Sequence, residues 1–287
     1  MATPDTIYAK QYGSLISMLA QQKGSRLRDT VTVKTGVVGE ETYMDQISAF
    51  DVNARTTRLA QTNPTLADYA RRRIALEDYY IAKGIDKLDD VRTLGDPTSA
   101  IVQSGYAGMG RQIDDLIIAA ASGTAYTGKV GGTSTALSST QKVAVGSTNL
   151  TLAKLLSALE ILNGNDVDPS DPKYCIISAA MLSSLLNTTE IKSADYNSVK
   201  ALVNGEVNTF LGMKFIRSER LAGAAATKKC LVYTKSGIGL AIGRDVKSRI
   251  TEESTLHFAK QLYFSMSIGA SRLEEDKVVE VACNTTV

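Results

Sequence analysis

Apolar residues recur at helical spacing over one long stretch of the chain, and both ends of that stretch carry helix-terminating signals. The repeating positions are Ile101, Met109, Ile113, Leu116, Ile117 and Ala120. Asp96 can accept a hydrogen bond from an unpaired amide of the first turn, and Pro97 lacks an N–H that would have no partner there. Gly123 suits the left-handed residue that ends many helices. The pattern predicts one helix over residues 97–122, about 39 Å long.

The interior of this predicted helix contains three glycines, Gly105, Gly108 and Gly110. Each costs about 1 kcal/mol relative to alanine in a helix. Glycines at such a cost indicate either that another backbone packs closely against the helix or that the helix bends.

The chain before the helix is predicted to form an arm and then a polar hairpin. Residues 4–23 have the mixed spacing of a short amphipathic helix that ends at Gly24. From Val31 to about Tyr80 the pattern becomes strand-like but contains few large apolar residues. Because a two-stranded ribbon of this composition buries little surface, we expect it to lie on a neighbouring subunit. Arg71, Arg72 and Arg73 then face carboxylates on another chain or line a solvated strand edge.

The chain after the helix changes from a polar segment to an α/β pattern. Residues 122–149 are mostly Gly, Ser and Thr, which predicts a long loop that is functional or mobile. Leucines from Leu152 onward predict a helix closed by Gly164. A buried strand from Tyr174 to Ser178 follows, with Ser178 capping the next helix. Further elements are predicted at 193–204 (helix) and at 212–218, 230–233, 238–242, 246–251, 261–272 and 277–283 (strands).

Charge and hydropathy exclude some classes of partner. The 287 residues carry a net charge of +2, so the surface as a whole does not attract nucleic acid. The arm holds a local excess of positive charge at Lys10, Lys23, Arg26 and Arg28, which either faces DNA or is a solvated charged segment. No stretch has the apolar length of a membrane span, and the N-terminus does not resemble a secretion signal. We therefore expect a protein with no membrane partner.

The residues that carry common enzyme chemistry are sparse. His257 is the single histidine and has no nearby acidic residue to orient it, so it is predicted to be structural. Cys175, Cys230 and Cys283 lie far apart in apolar runs, which favours small buried side chains in a reducing compartment over a disulfide or a metal site. No glycine-rich stretch has the strand-loop-helix context of a phosphate loop. The sequence predicts no catalytic residues, no metal and no cofactor.

The order of the segments resembles that of the major capsid proteins of tailed bacteriophages, which share the Hong Kong 97-like fold. Within the arm, the segment from Gln21 to Arg28 is similar to the arm of podovirus-type coat proteins. The segments 173–186, 201–207 and 210–218 are similar to the family's strand, helix, Asn-Gly turn and Leu-Gly strand. These last segments are the most specific part of a resemblance that covers essentially the whole chain.

The resemblance implies an α+β protein with a defined set of domains. Residues 1–30 correspond to an N-terminal arm and 31–78 to an extended hairpin called the E-loop. A peripheral domain comprises 79–148 and 246–272, with a spine helix at 97–122. An axial α/β domain comprises 149–245 and 273–287.

The implied function is that of a major capsid protein, which assembles with itself in hexamers and pentamers into the icosahedral head of a tailed phage enclosing double-stranded DNA. The implied partners are a separate scaffolding protein, since no fused scaffolding domain is found, as well as a portal, decoration proteins and nonspecifically bound DNA. The location is the virion, after assembly in the host cytoplasm. An encapsulin-like nanocompartment shell is the alternative, and a soluble hydrolase is a third reading without an active-site cluster to support it.

Overall fold

The computed structural model describes residues 21–50, 52–54, 58, 66–85, 97–187, 209–224 and 227–285. The chain divides into two compact units. The first unit comprises Met1–Ser25, Asp78–Gln112 and Arg244–Ser267, and the second comprises Arg26–Glu77, Ile113–Gly243 and Ile268–Val287. The division into arm, E-loop, peripheral and axial domains stays a prediction.

Three α-helices and fifteen strands make up the regular structure of these described residues. The helices are α1 (Pro97–Ser122), α2 (Leu152–Gly164) and α3 (Ala179–Asn187). Short 3-10 helices span Arg28–Thr30, Ser139–Gln141, Lys235–Gly237 and Ser254–Leu256. The strands are β1 (Thr32–Thr35), β2 (Glu41–Ile47), β3 (Tyr69–Ala75), β4 (Glu77–Ile85), β5 (Ala125–Thr127), β6 (Thr133–Thr135), β7 (Lys142–Val143), β8 (Lys173–Ile177), β9 (Thr209–Phe210), β10 (Met213–Arg217), β11 (Gly223–Ala224), β12 (Thr227–Thr234), β13 (Ile238–Glu253), β14 (Ala259–Arg272) and β15 (Val278–Asn284).

Helix α1 has the bounds that the apolar spacing predicts. Asp96, the predicted cap, lies outside the described residues. The expectation that Gly123 ends the helix in a left-handed conformation is wrong, because Gly123 is not among the glycines with positive φ. Its amide still donates to the Ala119 carbonyl at 2.8 Å, and a Cβ at position 123 would lie 2.6 Å from that same oxygen. The glycine is needed for space.

The helix glycines mark close packing, as one of the two readings of the sequence predicted. A Cβ on Gly105 would lie 2.5 Å from the ring of Phe264 on β14, and one on Gly108 would lie 3.1 Å from Ile81 on β4. A Cβ on Gly110 would collide with the backbone of Gly24 in the arm. The strands and the arm therefore approach the helix as closely as a glycine allows.

The predicted polar hairpin is present, with a correction to its extent. Strands β2 and β3 pair antiparallel from Glu41 opposite Ala75 to Ile47 opposite Tyr69. We call these two strands and the segment between them the hairpin. Strand β1 does not belong to it, because β1 pairs in parallel with β13 in a sheet of order β1-β13-β14-β4.

The prediction of a long loop over residues 122–149 is wrong. Strands β5 and β6 lie in this segment and extend the hairpin into a sheet of order β2-β3-β5-β6, while β7 joins the largest sheet. The side chains of Ala125 and Leu137 are buried. Gly, Ser and Thr here provide short strands and tight turns rather than a structureless connection.

The largest sheet has the order β7-β15-β12-β8-β10-β9 and holds the strands predicted at 212–218, 230–233 and 277–283. Cys175, Cys230 and Cys283 are free and buried in it, with the sulfur atoms of Cys175 and Cys230 3.5 Å apart. Ser178 accepts a hydrogen bond from the Met181 amide at 3.4 Å, which confirms the predicted cap of α3. The strands predicted at 238–242 and 246–251 are one continuous strand, β13. The helix predicted over 193–204 lies outside the described residues.

Candidate assembly surfaces

The hairpin is anchored at its base by polar side chains from the turn that follows β14. Arg72 on β3 donates from Nε to the Leu273 carbonyl at 2.7 Å and from a terminal nitrogen to the Glu275 carboxylate at 2.8 Å. Gln46 on β2 donates to the same Leu273 carbonyl at 3.0 Å. A small apolar cluster of Ile74, Ala241 and Leu273 lies beside these bonds. Both strands of the hairpin are thus fixed to this turn, at Arg72 within β3 and at Gln46 beside the last residue of β2, and we call these contacts the hairpin base.

Arg272 extends this polar network to the end of helix α1. Its guanidinium is fully buried and donates to the carbonyls of Ala121, Gly123 and Thr135 at 3.1, 2.6 and 3.0 Å. Glu275 lies 3.6 Å away and is therefore shared between Arg272 and Arg72. Burial lowers the pKa of the Arg272 guanidinium, and the Glu275 carboxylate raises it in part. One arginine satisfies helix-terminal carbonyls that would otherwise be buried without partners.

The three arginines that the sequence singled out all have partners within the chain. Arg71 pairs with Asp45 at 2.6 Å, Arg73 pairs with Glu41 at 2.5 Å, and Arg72 pairs with Glu275 as described. The Arg71 guanidinium lowers the pKa of the Asp45 carboxyl, chiefly through their hydrogen bond. The exposed pairs join the two strands of the hairpin across its width. A role of these arginines in contacts between subunits stays a prediction.

The far end of the hairpin exposes large apolar side chains. These are 55 to 96 % accessible and lie on both strands or in the described residues next to them: Ile47, Phe50, Val52, Leu66 and Tyr69. Single exposed apolar residues are common on protein surfaces, but a group of them within one hairpin indicates a contact surface. We call this group the hairpin end.

The base of the arm is fixed to helix α1. The buried Asp114 carboxylate accepts hydrogen bonds from the amides of Arg26 and Leu27 at 3.1 Å. The Arg26 side chain donates to the Arg217 carbonyl at 2.6 Å. Of the other predicted arm cations, Lys23 is exposed, Arg28 is half-buried and Lys10 lies outside the described residues. The predicted N-terminal helix also lies outside them, apart from residues 21–23, which are not helical.

Sequence reasoning missed Asp114, Arg272 and Glu275. One signal was available for Asp114, because it falls among the apolar positions that define the buried side of α1. A carboxylate at such a position needs hydrogen-bond donors from elsewhere in the chain. No comparable signal marked Arg272, whose partners are backbone carbonyls.

The candidate chemical residues lie apart from one another. His257 is exposed in the turn before β14 with φ +52°, and the three cysteines are buried in the largest sheet. Within the described residues, no group of three or more His, Cys, Asp or Glu side chains could hold a metal ion. No helix in the part of the chain that the structure describes is long and apolar enough to cross a membrane.

Helix α1 packed against strands and arm, a hairpin with exposed apolar side chains and an anchored arm base fit a subunit that assembles with copies of itself. The model of the phage capsid protein family matches residues 5–285, and the chain belongs to this family. It is a structural protein of a phage head, which self-assembles into the capsid, and not an enzyme. None of the curated proteins compared with the chain matches it.

Solved capsid structures share the fold at low sequence identity. The capsid protein of cyanophage P-SCSP1u is similar with a TM-score of 0.75 at 18% identity, covering 99% of this chain and 95% of that chain. The structure from Mycobacterium phage Che8 is similar with a TM-score of 0.69 at 15% identity, covering 98% of each chain. The capsid protein of cyanophage Pam1 gives 0.73 at 12% identity, covering 99% of this chain and 98% of that chain. The predicted Hong Kong 97-like α+β fold is confirmed.

Proposed function

We propose that this chain is the major subunit of an icosahedral head, arranged in hexamers and pentamers whose subunits are linked through the hairpin. The hairpin end supports this proposal most directly, because more than half of the surface of each of its apolar residues is accessible in the single chain. The anchoring of the hairpin base by Arg72 and Gln46 makes it a preorganised element. A preorganised surface loses less conformational entropy when it binds a neighbour.

Many such contacts repeated around a closed ring stabilise a shell even when each is weak. Each subunit offers its hairpin end to one neighbour and receives the hairpin of another. This head-to-tail arrangement closes into rings, as hexamers and pentamers require. A single strong contact is therefore not needed.

The arm is the proposed contact with packaged double-stranded DNA. Lys10, Lys23, Arg26 and Arg28 supply positive charge near the N-terminus, and phosphate contacts of this kind carry no sequence information. Replacing Lys23 and Arg28 by Gln should lower the amount of DNA packaged and reduce the salt sensitivity of its retention. Unchanged packaging and unchanged salt sensitivity would contradict this role.

A separate scaffolding protein, a portal and decoration proteins complete the proposed set of partners, with assembly in the host cytoplasm. The matched family and the phage capsid structures favour a virus head over an encapsulin-like nanocompartment. The discriminating experiment is expression of the chain alone and together with a candidate scaffolding protein encoded beside it, followed by electron microscopy. Closed shells are expected with the scaffold. Soluble monomers under both conditions would contradict the proposal.

A further inference from the structure

The first unit carries a groove on strands β4, β13 and β14 that the capsid role above does not use. Its volume is about 560 Å³, and we call it the basic groove. Its lining includes three cations, two stacked tyrosines and a single carboxylate: Arg244, Lys247, Arg249, Tyr80, Tyr263 and Asp78.

Most of the residues that line the groove lie on the side of the sheet that faces away from helix α1, among them Lys247, Arg249 and Tyr263. Phe264 on β14 and Ile81 on β4 contact the helix at Gly105 and Gly108. Because successive side chains of a strand point to opposite faces, the adjacent residues Tyr263 and Tyr80 point away from the helix. Their rings stack on one another with centroids 6.0 Å apart. The Ser248 hydroxyl bonds to Tyr106 of the helix at 3.0 Å, so its neighbours Lys247 and Arg249 share the far face with the tyrosines.

The cations of the groove are available for a ligand. Arg244, Lys247 and Arg249 are exposed, and within the described part of the chain none of them has an ion pair or a hydrogen-bond partner. The hydroxyls of Ser265 and Ser267 lie beside them on the same strand face. Clustered cations with hydroxyl donors and exposed aromatic rings fit an anionic ligand that also has apolar groups.

The position of the arm indicates which side of the head the groove faces, and so which anionic ligands can reach it. Gln21 accepts a hydrogen bond from Arg111 at 2.9 Å, and the Gly24 backbone lies against Gly110. The arm thus covers the side of α1 that the sheet leaves open, and the order of layers in this unit is arm, helix, sheet and groove. If the arm faces the packaged DNA, as proposed above, the groove faces the outside of the head. The inference rests on that proposed function.

We propose that the basic groove binds an acidic protein segment on the outer surface of the head. Arg and Tyr are the residue types that contribute most at protein interfaces, and both occur here next to serine hydroxyls. Duplex DNA is less suited, because it presents about one charge per 1.7 Å and calls for a broad basic surface. Three cations in one groove match a short run of Asp or Glu side chains.

The test uses fluorescently labelled poly-L-glutamate as the probe and a labelled DNA duplex as the competitor. Both are titrated into unassembled subunits and into assembled shells at low and moderate salt. Wild-type protein is compared with the double variant Lys247→Gln, Arg249→Gln. The matched control is Lys83→Gln, which removes an exposed cation from β4 outside the groove. All shells are checked by electron microscopy.

Poly-L-glutamate is expected to bind shells and subunits alike, at least 10-fold more weakly in the double variant and unchanged in Lys83→Gln. Binding that the double variant leaves unchanged would overturn the proposal, as would preferential binding of the duplex. Binding to subunits that disappears in shells would overturn it as well, because a neighbouring copy would then fill the groove. Replacing Lys23 and Arg28 by Gln in the same shells tests the arm separately: a loss of DNA retention without a loss of poly-L-glutamate binding would uphold both roles.

Discussion

The largest sheet and the hairpin belong to the same unit, yet they differ in how they are stabilised. In β12 the five residues from Cys230 to Thr234 are all buried, and in β15 the first four residues are buried. In the hairpin strands only Thr42, Arg72 and Ile74 are buried. The sheet is held by apolar burial, whereas the hairpin is held by a few polar contacts at its base.

This difference shows how one chain can be both a stable subunit and a component of a shell. Burial of apolar side chains in β12 and β15 supplies stability before assembly. The hairpin contributes little of that burial, so its exposed end stays available to a neighbour. The polar base fixes the hairpin to the turn that follows β14.

The largest expected effect comes from breaking the polar base. Arg272→Met leaves Glu275 beside one arginine instead of two and leaves the carbonyls of α1 without a donor. Each buried carbonyl left without a donor costs about 1–3 kcal/mol, so the loss of the bonds to Ala121, Gly123 and Thr135 should cost about 3–5 kcal/mol in total. Chemical denaturation should show this loss in the free energy of unfolding, whereas the control Lys83→Met should change it by less than about 0.5 kcal/mol. Equal stability of the two variants would mean that the network does not hold the unit together.

A smaller effect is expected from crowding the hairpin base. Gly269 on β14 lies against the Ala75 carbonyl at the end of β3, and a Cβ there would collide with it. Gly269→Ala should destabilise the protein by about 1–3 kcal/mol and increase hydrogen exchange in β2 and β3. The control is Gly164→Ala at the end of α2, where a Cβ meets nothing within 4 Å and the helix propensities of glycine and alanine predict a gain of up to about 1 kcal/mol. Unchanged hydrogen exchange in β2 and β3 would mean that the contact at Gly269 does not anchor the hairpin.

The burial of Cys283 in the largest sheet should make the stability of the protein depend on pH. Burial raises the pKa of the Cys283 thiol from its ordinary value of 9.0 to about 12. Between these values the unfolded chain has lost a proton that the folded chain keeps, so stability falls as pH rises through this window. Between pH 9 and 12 the free energy of unfolding of the wild type should fall more steeply than that of Cys283→Ala, by about 1 kcal/mol per pH unit. Parallel slopes would show that Cys283 titrates normally in the folded protein.

Much of the fold was predictable because it depends on local patterns. Apolar spacing defines α1, and Ser178 marks the start of α3 by a cap that involves residues three apart. Alternation located the C-terminal strands, although not the continuity of β13. Each of these features is encoded within one short window of sequence.

The remainder depends on contacts between distant residues. Strand β1 pairs with β13 about two hundred residues away, and no periodicity in either strand specifies that partner. Arg272 acts on carbonyls, which every residue has, so its role leaves no trace in residue types. The short strands within residues 122–149 could not be predicted from the sequence, because their small polar residues are as common in loops as at strand edges.

The last pair of substitutions should have the smallest effect on subunit stability and the largest effect on assembly. It therefore tests the central claim that the hairpin end links subunits. Phe50→Asp together with Leu66→Asp alters only exposed side chains of the hairpin end, so the free energy of unfolding of the isolated subunit should change by less than about 0.5 kcal/mol. The control is Leu156→Asp, at an exposed position on α2. The deciding measurement is the fraction of protein in closed shells, by sedimentation and electron microscopy, after expression with the scaffold. The account predicts that the double variant stays as folded subunits while the control assembles, and normal shells from the double variant would contradict it.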